Sequence, residues 1–154
     1  MHIRRLTAAD VALGIATFAM MAEVFDEGDD GSAAAAPELD EAYVAQLLAR
    51  PDFWAVVALE GEVPVGGVTA HVLPMTRAAT RELFLYDVAV RADRQRSGVG
   101  RSLLQAVLAM AAQAGISSTF VPAADEDTHA VAFYSALGGA AEAVTFFTWS
   151  PPNA

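Results

Sequence analysis

The run Arg94-Gln95-Arg96-Ser97-Gly98-Val99-Gly100-Arg101 constrains the fold more than any other part of the chain. It follows an apolar stretch, residues 81–90, that reads as a strand buried on both faces. It opens a second stretch in which Val99, Leu103, Leu104, Val107, Leu108 and Ala111 recur at helical spacing as far as Gly115. A strand that enters a helix through a tight glycine turn leaves the first N–H groups of the helix unpaired, and the helix dipole adds partial positive charge there. Glycine lets an anion approach that backbone closely. Arg91, Arg94, Arg96 and Arg101 lie in or beside the turn, four of only nine basic residues in the chain. The combination predicts a site for a phosphorylated cofactor. It is not a Walker A loop, because the chain has no lysine, and a Gly-x-Gly-x-x-Gly fingerprint would need glycine at Leu103.

Length and charge narrow the class. The 154 residues, 55% of them apolar, predict one domain over 1–154 with a substantial core. A net charge of −10 argues against a nucleic-acid partner and suits a cationic ligand. No apolar run is long enough for a membrane span, and the N-terminus lacks the apolar centre of a signal peptide, so a cytoplasmic location is expected. The absence of cysteine excludes disulfides and Cys-ligated metals, and no metal is expected. Eight of the 19 acidic residues fall between Glu23 and Glu41, among them Asp26, Glu27, Asp29 and Asp30. A second cluster, Asp125-Glu126-Asp127, follows a strand end. Both read either as solvated surface charge or as contacts for a polycation.

Periodicity and punctuation then order the elements. Residues 2–6 read as a strand, and Thr7 with Asp10 as a capping-box start to a helix reaching Phe25. Residues 40–49 form a short helix ended by Arg50-Pro51. Residues 53–59 and 63–73 form a hairpin around Glu60-Gly61-Glu62, with a bulge expected at Gly66-Gly67. After the strand at 81–90 and the helix up to Gly115 come a strand at 117–121, a helix at 127–137 closed by Gly138-Gly139, and a last strand at 143–149. The order β-α-α-β-β-β-α-β-α-β predicts an α+β fold with a mixed, mostly antiparallel sheet.

Gln95, Gly98 and Gly100 match Gln/Arg-x-x-Gly-x-Gly/Ala, and the segment resembles the acyl-CoA loop of the GNAT N-acetyltransferases. The element order is also theirs. The resemblance implies acetyl-CoA as cofactor, with its pyrophosphate on Gln95, Arg96, Ser97, Gly98, Val99, Gly100 and Arg101. Its pantetheine arm would lie along the backbone of Val88, Ala89 and Val90, in a cleft where the fourth and fifth strands splay apart. Residues 130–138 resemble the family's segment Asn-x-x-Ala-x-x-Leu-Tyr-x-x-x-Gly, which puts Tyr134 near the cofactor sulfur. Asp127 stands where the family often has asparagine. Residues 39–50, Val72-Leu73-Pro74, Glu82, Tyr86-Asp87-x-Ala-Val and the acidic loop before Ala130 together resemble the aminoglycoside 3-N-acetyltransferases. That resemblance implies acetyl transfer to the 3-amino group of 2-deoxystreptamine in a polycationic antibiotic. Other amines, such as a polyamine or a protein N-terminus, and a non-catalytic acyl-CoA-binding module remain alternatives.

Acetyl transfer needs a neutral amine, hence a base, and a donor to the thioester oxygen, for which a backbone N–H of the fourth strand is suited. Asp87 is the first candidate for base or amine anchor, since an acid inside an apolar strand is costly unless it has a task or a partner. Simple alternation puts it on the face opposite Tyr86. Glu126 and Asp127 are the second candidates, and His129 is a further candidate base. Asp127 reads equally as a helix N-cap, and His129 as an exposed first-turn residue. Tyr134 is the candidate acid for the departing thiolate, or else a packing aromatic. Tyr86, Asp87 and the acids Asp26, Glu27, Asp29, Asp30, Asp125, Glu126 and Asp127 are the candidate substrate contacts. The apolar segment 143–149 suggests a homodimer.

Overall fold

A computed structural model describes residues 1–26 and 38–152. Its elements are β1 (His2–Arg5), α1 (Val11–Asp26), α2 (Glu41–Leu48), β2 (Phe53–Glu60), β3 (Val63–Pro74), β4 (Arg81–Val90), a 3-10 turn (Ala92–Arg94), α3 (Val99–Gln113), β5 (Ser118–Phe120) and α4 (Thr128–Ala136). Met1–Pro122 forms one compact unit and Ala123–Ala154 a second. No helix among the described residues is long and apolar enough to cross a membrane.

The first unit is a five-stranded sheet in the order β1-β2-β3-β4-β5, antiparallel except for the parallel β4–β5 pair. The α+β class and mostly antiparallel sheet agree with the expected order. Helices α1 and α3 pack on opposite faces, and two adjacent glycines of β3 make this possible. A Cβ on Gly66 would lie 2.7 Å from Leu103 Cδ1 of α3, and one on Gly67 would lie 2.7 Å from Met21 Sδ of α1. Gly66-Gly67 is thus a site of close approach. The bulge expected there falls one residue earlier: Ala58 pairs with Gly66 and Leu59 with Pro64, leaving Val65 as the extra residue. Alternate residues of β2 feed two cores. Phe53, Ala55, Val57 and Leu59 join Leu6, Val44 and Leu48 beneath α1 and α2.

Two further expectations are corrected. Helix α1 begins at Val11, four residues after Thr7, because residues 7–10 close a turn of their own through Asp10 N–H donating to the Thr7 carbonyl at 2.9 Å. Asp10 accepts from the Thr7 N–H and hydroxyl and takes a two-pronged bond from Arg4 (2.9 and 3.0 Å). The last strand, expected at 143–149, is not formed: these residues adopt no regular structure. Val144, Phe146, Phe147 and Trp149 are exposed there, and no strand among the described residues pairs with this segment.

Candidate active site

Strand β4 organises the site. Strand β5 pairs with Glu82, Leu83 and Phe84 and stops. Along residues 85–90 the edge of β4 away from β3 therefore has no strand partner among the described residues. Immediately beyond, Gln95 Nε2 donates to the Val90 carbonyl at 3.0 Å and ties the loop to the strand end.

The loop bends through two left-handed residues, Arg96 (φ 61°) and Gly98 (φ 90°), before α3 begins at Val99. A left-handed arginine is uncommon and a left-handed glycine costs nothing extra. Among the described residues none accepts from the N–H groups of residues 96–101; the first helical bond of α3 is Ser102 N–H to the Gly98 carbonyl. A Cβ placed on Gly98 would meet no atom within 4 Å, so the space over the turn is open. Unpartnered N–H groups, open space and a helix N-terminus fit a pyrophosphate. The arginine cluster is smaller than its sequence suggests. Arg91 is bound to Asp93 (2.6 Å), and Arg94 to Glu60 (2.9 Å) and Asp93 (3.0 Å). Arg96 and Arg101 are exposed and form no ion pair among the described residues.

On the α1 face of the same strand, register places the acid. Thr69 pairs with Asp87 and Ala70 with Leu85, so Tyr86 is an extra residue, a bulge. The bulge overturns the expectation that Asp87 and Tyr86 face opposite ways. Both line one cleft of about 300 Å3 between the sheet and helices α1 and α2, with Thr69 and His71 of β3. The Thr69 hydroxyl donates to Asp87 Oδ2 at 3.4 Å. Burial raises the Asp87 pKa, and the Thr69 hydroxyl and His71 draw it back only in part. A carboxylate lifted in this way is a better proton acceptor near neutral pH. His71 touches Phe53 and Tyr86, with ring centroids 5.4 and 5.5 Å apart.

His71, Thr69 and the wall residues Phe18, Tyr43 and Phe53 were not expected at the site. Three strands must be aligned before they meet, and no local pattern announces that. Among the expected substrate contacts, Asp26 is exposed at the end of α1, while Glu27, Asp29 and Asp30 lie outside the described residues.

The second unit holds the remaining candidates. Asp127 caps α4, its carboxylate accepting from the Ala130 N–H at 3.0 Å. Asp125, Glu126 and His129 are exposed around that start. Tyr134 packs edge-on to Phe133 at 5.2 Å, and burial, then the Asp127 charge, raise its phenol pKa. Gly138 (φ 90°) ends the helix, and the Gly139 N–H returns to the Tyr134 carbonyl at 3.0 Å.

Comparisons with known proteins agree with this geometry. No curated protein matches the chain. Two structures of the aminoglycoside acetyltransferase meta-AAC0020, from an uncultured soil metagenomic sample, are similar over 98% of this chain and 96% of theirs. The trehalose complex has 28% identity and the sisomicin complex 27%, each with a TM-score of 0.85. The aminoglycoside acetyltransferase HMB0005, also from an uncultured soil metagenomic sample, has 29% identity and a TM-score of 0.82 over 97% of both chains. Aminoglycoside N-acetyltransferase AAC(6')-Iy in complex with CoA shares the fold at 14% identity, with a TM-score of 0.74 over 98% of this chain and 95% of that one. Residues 18–138 match the acetyltransferase (GNAT) family, whose enzymes use acetyl-CoA, and the chain belongs to that family.

Proposed function

We propose that the protein transfers acetyl from acetyl-CoA to an amine of an aminoglycoside, at the 3-amino group of its 2-deoxystreptamine ring, and so confers resistance. One observation carries the transferase reading. Asp87, a partly buried carboxylate with a raised pKa, lies on the stretch of β4 whose outer edge has no strand partner among the described residues, just before the loop whose N–H groups likewise have none among them. Amine acceptor and acyl donor are thereby held by one strand. The aminoglycoside acceptor is supported by the similarity to meta-AAC0020 and HMB0005, and the 3-position by the sequence resemblance.

When bound, acetyl-CoA supplies the acetyl group as a thioester. The N–H groups of residues 96–101, with Arg96 and Arg101, hold its phosphates. Asp87 pairs with the incoming ammonium and takes its proton, directly or through water, which frees the nitrogen lone pair. The backbone of Val88, Ala89 and Val90 aligns the reacting arm, and a β4 N–H stabilises charge on the thioester oxygen. Tyr134 returns a proton to the departing sulfur. Glu126 and His129 are reserve bases, and Asp125, Glu126, Asp127 and the acids of residues 26–30 attract the polycation. A single domain is supported by the family match, which runs unbroken across the boundary at Pro122. A homodimer is supported by the exposed apolar side chains at 144–149. A cytoplasmic location goes with this reading, because acetyl-CoA is made and used inside cells.

The test is thiol release from acetyl-CoA with sisomicin as acceptor, followed by NMR of the product. Acetylation at the 3-amino group is expected. Acetylation at another position would remove the regiochemical claim, and binding of acetyl-CoA with no release on any amine would remove the enzymatic one.

A further inference from the structure

The glycine loop is held by bonds that reach outside it. Before it, the Arg91 N–H donates to the Val65 carbonyl of β3 at 2.9 Å, and the Arg94 N–H to the Arg91 carbonyl at 2.8 Å. The Arg94 guanidinium then reaches across to β2, its Nε donating to both carboxylate oxygens of Glu60 at 2.9 Å. Its Nη1 donates to Asp93 Oδ2 at 3.0 Å, and the Arg94 carbonyl accepts from the Ser97 hydroxyl. Glu60 is a firm anchor, because it ends β2, pairs with Val63 and is followed by the left-handed Gly61 (φ 62°) of the hairpin turn. Gln95 is tied to the Val90 carbonyl and Ser97 to Arg94, and between them stands Arg96 in its left-handed conformation. That conformation is costly for a residue other than glycine and persists only where the surrounding bonds impose it.

We propose that Glu60 is a positioning residue for the acetyl-CoA pyrophosphate: through Arg94 and Ser97 it keeps the N–H groups of residues 96–101 in the shape that receives the ligand. This role rests on the loop being the pyrophosphate site, and it brings in a residue 34 positions before Arg94. Charge and positioning predict opposite outcomes when Glu60 loses its carboxylate. By charge alone, removing an anion and releasing an arginine near a polyanionic ligand would tighten binding. By positioning, the untethered loop holds the competent shape for a smaller fraction of the time, and the apparent Kd rises in inverse proportion to that fraction.

Calorimetry with acetyl-CoA on the wild type, Glu60→Gln, Arg94→Gln, the double variant and Glu62→Gln separates the two. The Glu60 and Arg94 side chains are 41% and 36% exposed, so the fold should survive, as thermal melting checks. Glu62 is the other acid of the turn, exposed and in no ion pair among the described residues, so its variant removes the same charge without touching the tether. Glu60→Gln should weaken binding by about two- to fivefold, the range for a partly exposed ion pair. The double variant should bind no worse than Arg94→Gln, since Glu60 acts through Arg94. Glu62→Gln should bind as the wild type does. S-acetylpantetheine, which has the thioester but no phosphate, gives a second readout with sisomicin as acceptor. Its kcat/KM should be equal in the wild type and Glu60→Gln, while the KM for acetyl-CoA rises and kcat does not change. The calorimetry needs no turnover, so it decides the matter even if sisomicin is not acetylated. Unchanged or tighter acetyl-CoA binding in Glu60→Gln would overturn the role of Glu60 and leave the loop reading intact. So would an equal loss with both donors, which marks a general loosening, or a double variant whose losses simply add. A wild type that binds no acetyl-CoA would overturn both readings.

Discussion

Two aspartates show how environment assigns opposite consequences to one side-chain type. Asp10 sits in a ring of donors from Arg4 and Thr7, and the Arg4 bonds above all hold its pKa far below the usual carboxylate value. Its stabilising contribution is complete above the unfolded pKa and disappears as pH falls toward the folded one. Asp10→Asn should therefore lower stability at neutral pH by about 1–2 kcal/mol, as for loss of a charge-assisted network, and this cost should shrink in acid; urea melts at two pH values measure it. Asp87 is the reverse case. Burial raises its pKa, so ionisation works against the fold as pH rises through the folded value. Asp87→Asn should keep or raise the melting temperature at neutral pH while lowering kcat/KM for the amine roughly a hundredfold, the usual scale for a general base. The acid limb of the wild-type rate profile should begin above the pH at which a solvent-exposed aspartate titrates, and the variant should lose it. A variant with wild-type rate would move the base to Glu126 or His129.

Glycines set how the elements meet. At Gly66 a methyl group would press on Leu103, which is fully buried, on Val99 Cγ1 at 3.0 Å and on the Ala89 carbonyl at 3.3 Å. At Gly67 the nearest obstacle is the sulfur of Met21, the far part of a flexible side chain. Gly66→Ala should then cost about 1–3 kcal/mol by overpacking, and Gly67→Ala less, in paired denaturant melts. Because Val99 opens α3, Gly66→Ala should also disturb the loop and weaken acetyl-CoA binding, whereas Gly67→Ala should not. Gly98 differs from both: its surroundings are open but its φ is 90°. Gly98→Ala should cost about 1 kcal/mol through backbone strain. It would also put a methyl group where the pyrophosphate approaches, so calorimetric affinity for acetyl-CoA should fall by more than the stability loss suggests.

At the scale of the whole molecule, the net charge of −10 and the exposed apolar C-terminal segment act on different partners. The charge raises the local concentration of cations, so added salt should raise the KM for sisomicin. Phe147 and Trp149, with ring centroids 6.3 Å apart and 72% and 84% exposed, present an uncovered aromatic surface. If that surface is covered by a second copy, light scattering should give the mass of a dimer, and Phe147→Ser with Trp149→Ser should give the monomer. A wild-type monomer at all concentrations would end the dimer reading.

Much of the fold was legible because its signals are local. The strand expected at residues 81–90 is Arg81–Val90, the glycine turn precedes a helix that ends before Gly115, and Asp127 caps the helix it precedes. Periodicity, glycine and capping act between residues a few positions apart, so neighbours alone encode them. The loop geometry was readable for the same reason, but the freedom of its arginines was not, since Glu60 lies 34 residues before Arg94. The cleft was largely illegible. Asp87 stood out as an acid in an apolar strand, yet its company depends on the register of β3 against β4, and the bulge at Tyr86 reversed the face that alternation assigns. Phe53, His71 and Tyr86 become neighbours only after β2, β3 and β4 align. The segment 143–149 makes the same point in the other direction: β-branched and aromatic residues favour a strand, but a strand also needs a partner for its backbone, and that partner is not written in the segment itself.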